Sequence, residues 1–218
     1  MAATFNGARS NVAGASSTTI ATSSTISVAV GDGVQVGVKW EGGAVTVTCA
    51  DNLGNTYTLV DNHNHSVVEP GLATFQCVVT SAGSATVTAT FASARTARAI
   101  AANFFTPTGG MTFGTDSPGF VTAEGNSNAP SSGSLSINGA GIASAFFALF
   151  SNVGGTPGSG WTESVDPPGD IYGEYRIPSG SGSITGDFAW STSDQWVATV
   201  LNLREVNATS TSLAWIRA

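Results

Sequence analysis

From Ser24 onward the chain alternates apolar and polar residues in short runs, and each run stops at a cluster of Gly, Asn, Asp or Ser. Alternation with period two marks strands with one buried face, and turn signals recurring every eight to twelve residues or so predict a β-sandwich or barrel. "STISVAV" ends at Gly31-Asp32-Gly33, "VQVGVKW" at Glu41-Gly42-Gly43 and "AVTVTCA" at "DNLGN". Gly, Asn and Asp tolerate the positive φ of tight reversals, so each stop is a hairpin signal. "TYTLV", "LATFQCVVT", "SATVTATF" and "RAIAANFF" follow, giving about eight strands in the first half. "TPTGG", Thr106 to Gly110, breaks the pattern and places a boundary between 1–107 and 108–218. Beyond it come "GFVTAE", "SLSING", "IASAFFALF", "WTESV", "DIYGEYRI", "SITGDFAW" and "QWVATVLNLRE".

Two of these segments are apolar at successive positions. "AIAANFF" and "VATVLNLR" suit strands in the middle of a sheet with both faces covered. Ala-rich runs also form helices, but the β-branched neighbours and short length favour strand. The halves also resemble each other. An offset of 99 residues aligns Ser84 with Ser183, Thr86 with Thr185, Ala99 with Ala198 and Asn103 with Asn202, and sets Phe91 against Trp190. Ile26-Ser27-Val28 answers to Leu135-Ser136-Ile137, and "VQVGVKW" to "IASAFFALF". The expected fold is all-β: two tandem, internally duplicated antiparallel β-sandwich domains of jelly-roll or Ig-like type. "EGNSNAPSSGS", Glu124 to Ser134, reads as a long polar loop suited to partner contacts. "TSLAWIRA" reads as a final edge strand or an interaction segment.

At 218 residues the chain is long enough for one large core or two. Only 10% of it is charged, and Ser and Thr, roughly a quarter of the residues, supply the polarity instead. A net charge of -7, with Lys39 the sole lysine, leaves no basic patch for phosphates and argues against nucleic acid. The start "MAATFNGARSNVAG" lacks signal-peptide architecture, and no apolar run spans a bilayer, so no membrane partner is expected. Cys49 and Cys77 alternate with apolar neighbours and read as buried free thiols in neighbouring strands, with a disulfide open in an oxidising compartment.

Chemistry has few candidates. In "DNHNH" an extended backbone projects His63 and His65 to one side, with Glu69 as a third donor, yet two imidazoles make no metal site. Asp51, Asn52 and Asn55 surround a turn, too sparse in carboxylates for calcium and better suited to capping it. Glu163, Asp166, Asp170 and Glu174 supply the carboxyls a glycosidase needs, with Glu174 two residues from Tyr172 and so on its face. No nucleophile elbow, phosphate loop, HExxH or CxxC occurs, so no enzyme, catalytic residue, cofactor or metal is expected. Of Trp40, Trp161, Trp190, Trp196 and Trp215, Trp40 and Trp161 lie beside turns and are expected to be the exposed ones; a row with Trp215 would make a sugar-stacking platform.

"CADNLGNTYTLV" and "YRIPSGSGSITGDFAWSTSDQWVATVLNL" resemble Ser/Thr/Gly-rich β-sandwich structural proteins of tailed bacteriophages. The resemblance implies a virion component, foremost a decoration or cement protein on the capsid exterior, assembled in the host cytoplasm. Its partners would be the major capsid protein or other virion proteins and further copies of itself, a trimer foremost. A carbohydrate-binding or adhesin module, with a glycan as ligand, is the alternative.

Overall fold

The computed structural model describes residues 2–67, 69–114, 119–151, 154–165 and 171–207. Among the described residues, ten strands precede the boundary: β1 (Thr4–Ala13), β2 (Ser17–Ala21), β3 (Ile26–Val28), β4 (Gly33–Trp40), β5 (Val47–Asp51), β6 (Thr58–Asn64), β7 (Gly71–Val78), β8 (Gly83–Ala85), β9 (Val87–Arg95) and β10 (Arg98–Thr106). Nine follow: β11 (Met111–Phe113), β12 (Gly119–Ser127), β13 (Ser131–Ile137), β14 (Gly141–Leu149), β15 (Gly155–Pro157), β16 (Thr162–Val165), β17 (Ile171–Arg176), β18 (Gly182–Trp190) and β19 (Asp194–Asn207). The fold is all-β, and its sheets are antiparallel.

The strands form layers. In the first half a large sheet of order β1-β10-β4-β7-β6 faces a small sheet, β2-β9-β5, flanked by the pair β3-β8. In the second half β12-β19-β14-β17-β16 faces β13-β18-β15, while β11 extends β19. Val36, Val38, Trp40, Phe75, Phe91, Ile100 and Phe104 fill the first core; Phe147, Tyr172, Ile184, Phe188, Trp190 and Val200 fill the second. The two large sheets then stack on each other. β1 lies over β16, β10 over β17, β4 over β14, β7 over β19 and β6 over β12. Exchanging the halves reproduces the same set of neighbours, so the inner layer has approximate two-fold character.

This stacking explains the segments that are apolar on both faces. In β10, Ile100, Ala102 and Phe104 enter the first core, while Ala99 and Ala101 join Leu72, Phe146, Val197 and Leu201 between the large sheets. At the centre Phe146 packs onto bare backbone: a Cβ at Gly37 would sit 2.6 Å from its ring. The inner layer is also polar in places. Asn103 Nδ2 donates to Ser144 Oγ at 3.0 Å, and Lys39, fully buried, reaches Glu41 at 2.7 Å.

Several sequence expectations change. The 99-residue offset keeps faces matched in β9 and β18, where Val87, Phe91, Phe188 and Trp190 all enter a core. In the next strand it reverses them: Ala99 faces the inner layer and Ala198 the second core. Asn103 crosses the inner layer, whereas Asn202 lies against Gly119. A slip of one residue turns a whole strand over, so identity at a fixed offset does not mean equivalence in space. The segment Glu124 to Ser134 is no long loop. β12 runs to Ser127 and β13 resumes at Ser131, with the backbone of Asn128 and Pro130 accepting from Trp190 and Phe188. Cys49 and Cys77 sit in strands of two facing sheets, both thiols free, and not in neighbouring strands. The segment "TSLAWIRA", with Trp215, lies outside the described residues.

Candidate functional site

The turn after β5 is held by its own side chains. Asp51 Oδ1 accepts from the amides of Leu53 and Asn55 at 2.9 and 3.0 Å, and its other oxygen from Asn55 Nδ2 at 2.8 Å. Asn55 Oδ1 in turn accepts from the amides of Thr80 and Ser81, each at 2.8 Å. Asn52 bridges to Ser84 and Thr86. Asx side chains that bond nearby amides stabilise turns in this manner, and their oxygens are thereby occupied.

The tryptophans expected at the surface are inside. Trp40 is fully buried, stacks over Gly71 and donates from Nε1 to Gly43 O at 2.8 Å. Trp161 donates to Thr185 O at 2.8 Å, and Trp190 and Trp196 both reach Ser127 at 3.0 Å. A turn brings each indole to the sheet end, but the N–H of Trp40 finds the turn's own carbonyl and that of Trp161 a carbonyl of β18, and both rings are buried over a core. Among the described residues no tryptophan row faces solvent.

Glu174 does share a face with Tyr172, and that face is the second core. Its side chain is fully buried, with Oε2 accepting from Gly158 N–H at 3.0 Å. Burial pushes its pKa up to about 8; the Gly158 and Asp187 amides pull the other way, and the Asp187 charge adds to the rise. Glu163 is the cross-strand partner of Glu174 but is exposed. Asp166 and Asp170 lie outside the described residues. Burial similarly pushes the Cys77 thiol up to about 12 and raises that of Cys49, which marks both as inert packing groups.

The structure brings ionisable groups together where β6 crosses β12. Thr122 Oγ1 donates to Asp61 Oδ2 at 2.6 Å and lies 2.8 Å from Thr199 Oγ1. His63 Nε2 is 2.9 Å from Glu124 Oε2, which also accepts from Ser66 N–H at 2.9 Å. His65 Nε2 faces Gly125 O at 3.2 Å while its Nδ1 accepts from Val67 N–H at 3.3 Å, a pattern that fixes the Nε2–H tautomer. Burial alone would raise the Glu124 pKa; the bonds from Ser66 and His63 outweigh it and hold the carboxyl below its ordinary value.

The two histidines of "DNHNH" and the nearby Glu69 thus separate. His63 goes to Glu124, His65 to a carbonyl and Glu69 to the amide of Gly42. Among the described residues no three His, Cys, Asp or Glu side chains cluster as metal ligands. The cluster ties one half of the chain to the other. Its partners are about sixty residues apart, so only the local half of the pattern, Asp61 to His65, is open to sequence reasoning, and Thr122 and Glu124 carry no local signal that marks them as its members. Comparison of the chain with protein-family models, curated proteins and solved structures finds no match.

Proposed function

We propose that this chain is a structural component of a tailed-phage particle, a decoration or cement protein bound to the capsid exterior through the major capsid protein. One observation carries the reading: the groups from which a reactive site would be assembled serve the fold. Glu174 lies inside a core, Asp51 and Asn55 brace a turn, and His63, His65 and Glu124 join the two large sheets.

The matching strand orders support a chain of two tandem, internally duplicated sandwich domains, 1–107 and 108–218. The outer faces of the small sheets support a docking role. One carries the row Thr19, Thr90, Thr48; the other pairs Ser134 with Thr185 and Ser136 with Ser183. Related faces on one chain let weak contacts combine by avidity.

The test is absolute mass by light scattering, followed by co-sedimentation with capsids of the phage whose genome encodes the chain. A trimer or other symmetric oligomer that pellets with capsids at fixed ratio is expected. A monomer that stays in the supernatant at every capsid concentration overturns the proposal.

A further inference from the structure

We propose that Asn138 is a self-modifying site, converting spontaneously to aspartate and iso-aspartate through attack of the Gly139 backbone nitrogen on its side-chain amide. The chain contains two Asn-Gly pairs, Asn6-Gly7 and Asn138-Gly139. In both, glycine leaves the attacking nitrogen unshielded, because no Cβ stands beside it. The sequence treats the two pairs alike; the fold does not.

Asn6 lies within β1, between Phe5 and Gly7, which pair with Phe105 and Phe104 of β10. Closing a five-membered ring requires the Asn Cβ and the next nitrogen to eclipse about the Cα–C bond, at a ψ far from that of a strand. Asn6 reaches it only when β1 opens. Asn138 follows Ile137, the last residue of β13, and β14 begins at Gly141, so it stands in a short turn outside both ladders. It is exposed, and Gly139 takes a φ of 116°, where glycine is unstrained. Among the described residues the Gly139 N–H makes no backbone hydrogen bond; the turn is anchored one residue later, where Ala140 O accepts from Glu205 N–H at 3.0 Å. Neither side chain is held firmly. Asn138 Oδ1 accepts from Ser181 Oγ at 3.5 Å and Asn6 Nδ2 donates to Ser27 O at 3.4 Å, both long, so the backbone decides between the sites.

The step balances with water alone. The Gly139 nitrogen bonds to the Asn138 Cγ and gives up its proton, while the side-chain nitrogen leaves as ammonia, which closes a cyclic imide. Water then opens the imide at one of its two carbonyls. Opening at Cγ restores the ordinary chain with a carboxyl side chain; opening at the main-chain carbonyl routes the chain through Cβ as iso-aspartate. Either way one amide and one water become one carboxylate and one ammonium ion, and nothing is oxidised or reduced. The net charge becomes one unit more negative than -7. Asn138 continues the exposed positions Ser134 and Ser136 of β13, so the new charge arrives at the end of an outward row of hydroxyls. The reaction is independent of where the chain works.

Peptide mapping by mass spectrometry tests it, after the intact chain has been incubated in mildly alkaline buffer, folded and in urea. In the folded chain Asn138 should convert at least about tenfold faster than Asn6, which must wait for β1 to open. In urea the two sites should convert at similar rates. Asn138→Gln, whose longer side chain would have to close a larger ring, should lose the conversion at that position. An unconverted Asn138 in the folded chain overturns the proposal, as does an Asn6 that converts equally fast there. Conversion to aspartate without iso-aspartate also overturns it, because direct hydrolysis passes through no imide.

Discussion

Glu174 occupies an apolar core whose ordinary occupant would be an aliphatic side chain, and its chemistry shows the cost. Its folded-state pKa is about 8, against an ordinary value of 4.5. Between those values the native chain holds a proton that the unfolded chain has released. Stability therefore declines as pH rises from 4.5 towards 8 and levels off above, by at most about 1.4 kcal/mol per pH unit. Glu174→Gln keeps the acceptor for Gly158 N–H and removes the titration. The variant should match the parent near pH 5 and exceed it by about 1–3 kcal/mol at pH 8. Urea midpoints across that range measure the difference, and parallel curves would show that Glu174 ionises freely in the fold. The period-two spacing of Tyr172 and Glu174 made their shared face legible in the sequence. Whether that face met core or cleft depended on β18, which covers it, and no local signal reports a covering sheet.

The seam between β6 and β12 belongs to the scale of elements. Both are edge strands of their large sheets, and edges invite unwanted pairing unless something occupies them. Here each edge engages the other through side chains: Asp61 with Thr122, His63 with Glu124. A carboxyl held below its ordinary value stabilises the fold above the unfolded pKa near 4.5, and that contribution fades as pH falls through the folded value. Glu124→Gln should therefore be less stable than the parent at pH 7, with the gap closing below pH 4.5. Denaturation of both proteins at pH 7, 5 and about 3 checks this; a gap that persists in acid would mean that packing, not charge, sets the effect. Sequence patterning located most strands because alternation is a local property. It passed over β1, whose run "TFNGARSNVA" is polar and half-buried along much of its length. It could not pair β6 with β12, or separate Cys49 from Cys77 into facing sheets, because strand order is decided by contacts distant in sequence.

At the scale of the whole molecule, the inner layer raises the question of what holds the halves together. A tether would suffice if each half were self-contained, but the large sheets are built for contact. Leu72, Ala101, Phe146 and Leu201 are fully buried between them, and Phe146 needs the bare backbone of Gly37 beneath its ring. Polar links cross the same layer, Asn103 to Ser144 and Gln35 to Leu201 O. An interface that is apolar at its centre and crossed by hydrogen bonds resembles an obligate dimer interface more than a transient domain contact. The covalent connection at Thr106 to Gly110 is then dispensable once folding is complete. Inserting a protease site between Gly109 and Gly110, both exposed, and cleaving the folded chain provides the experiment. The two fragments should co-elute at the mass of the intact chain and separate only in denaturant. They should also melt in one transition, because exposing either inner face removes the support of the other. Fragments that part under native conditions would make each half an independent unit, and Gly37→Ala would then leave stability nearly unchanged.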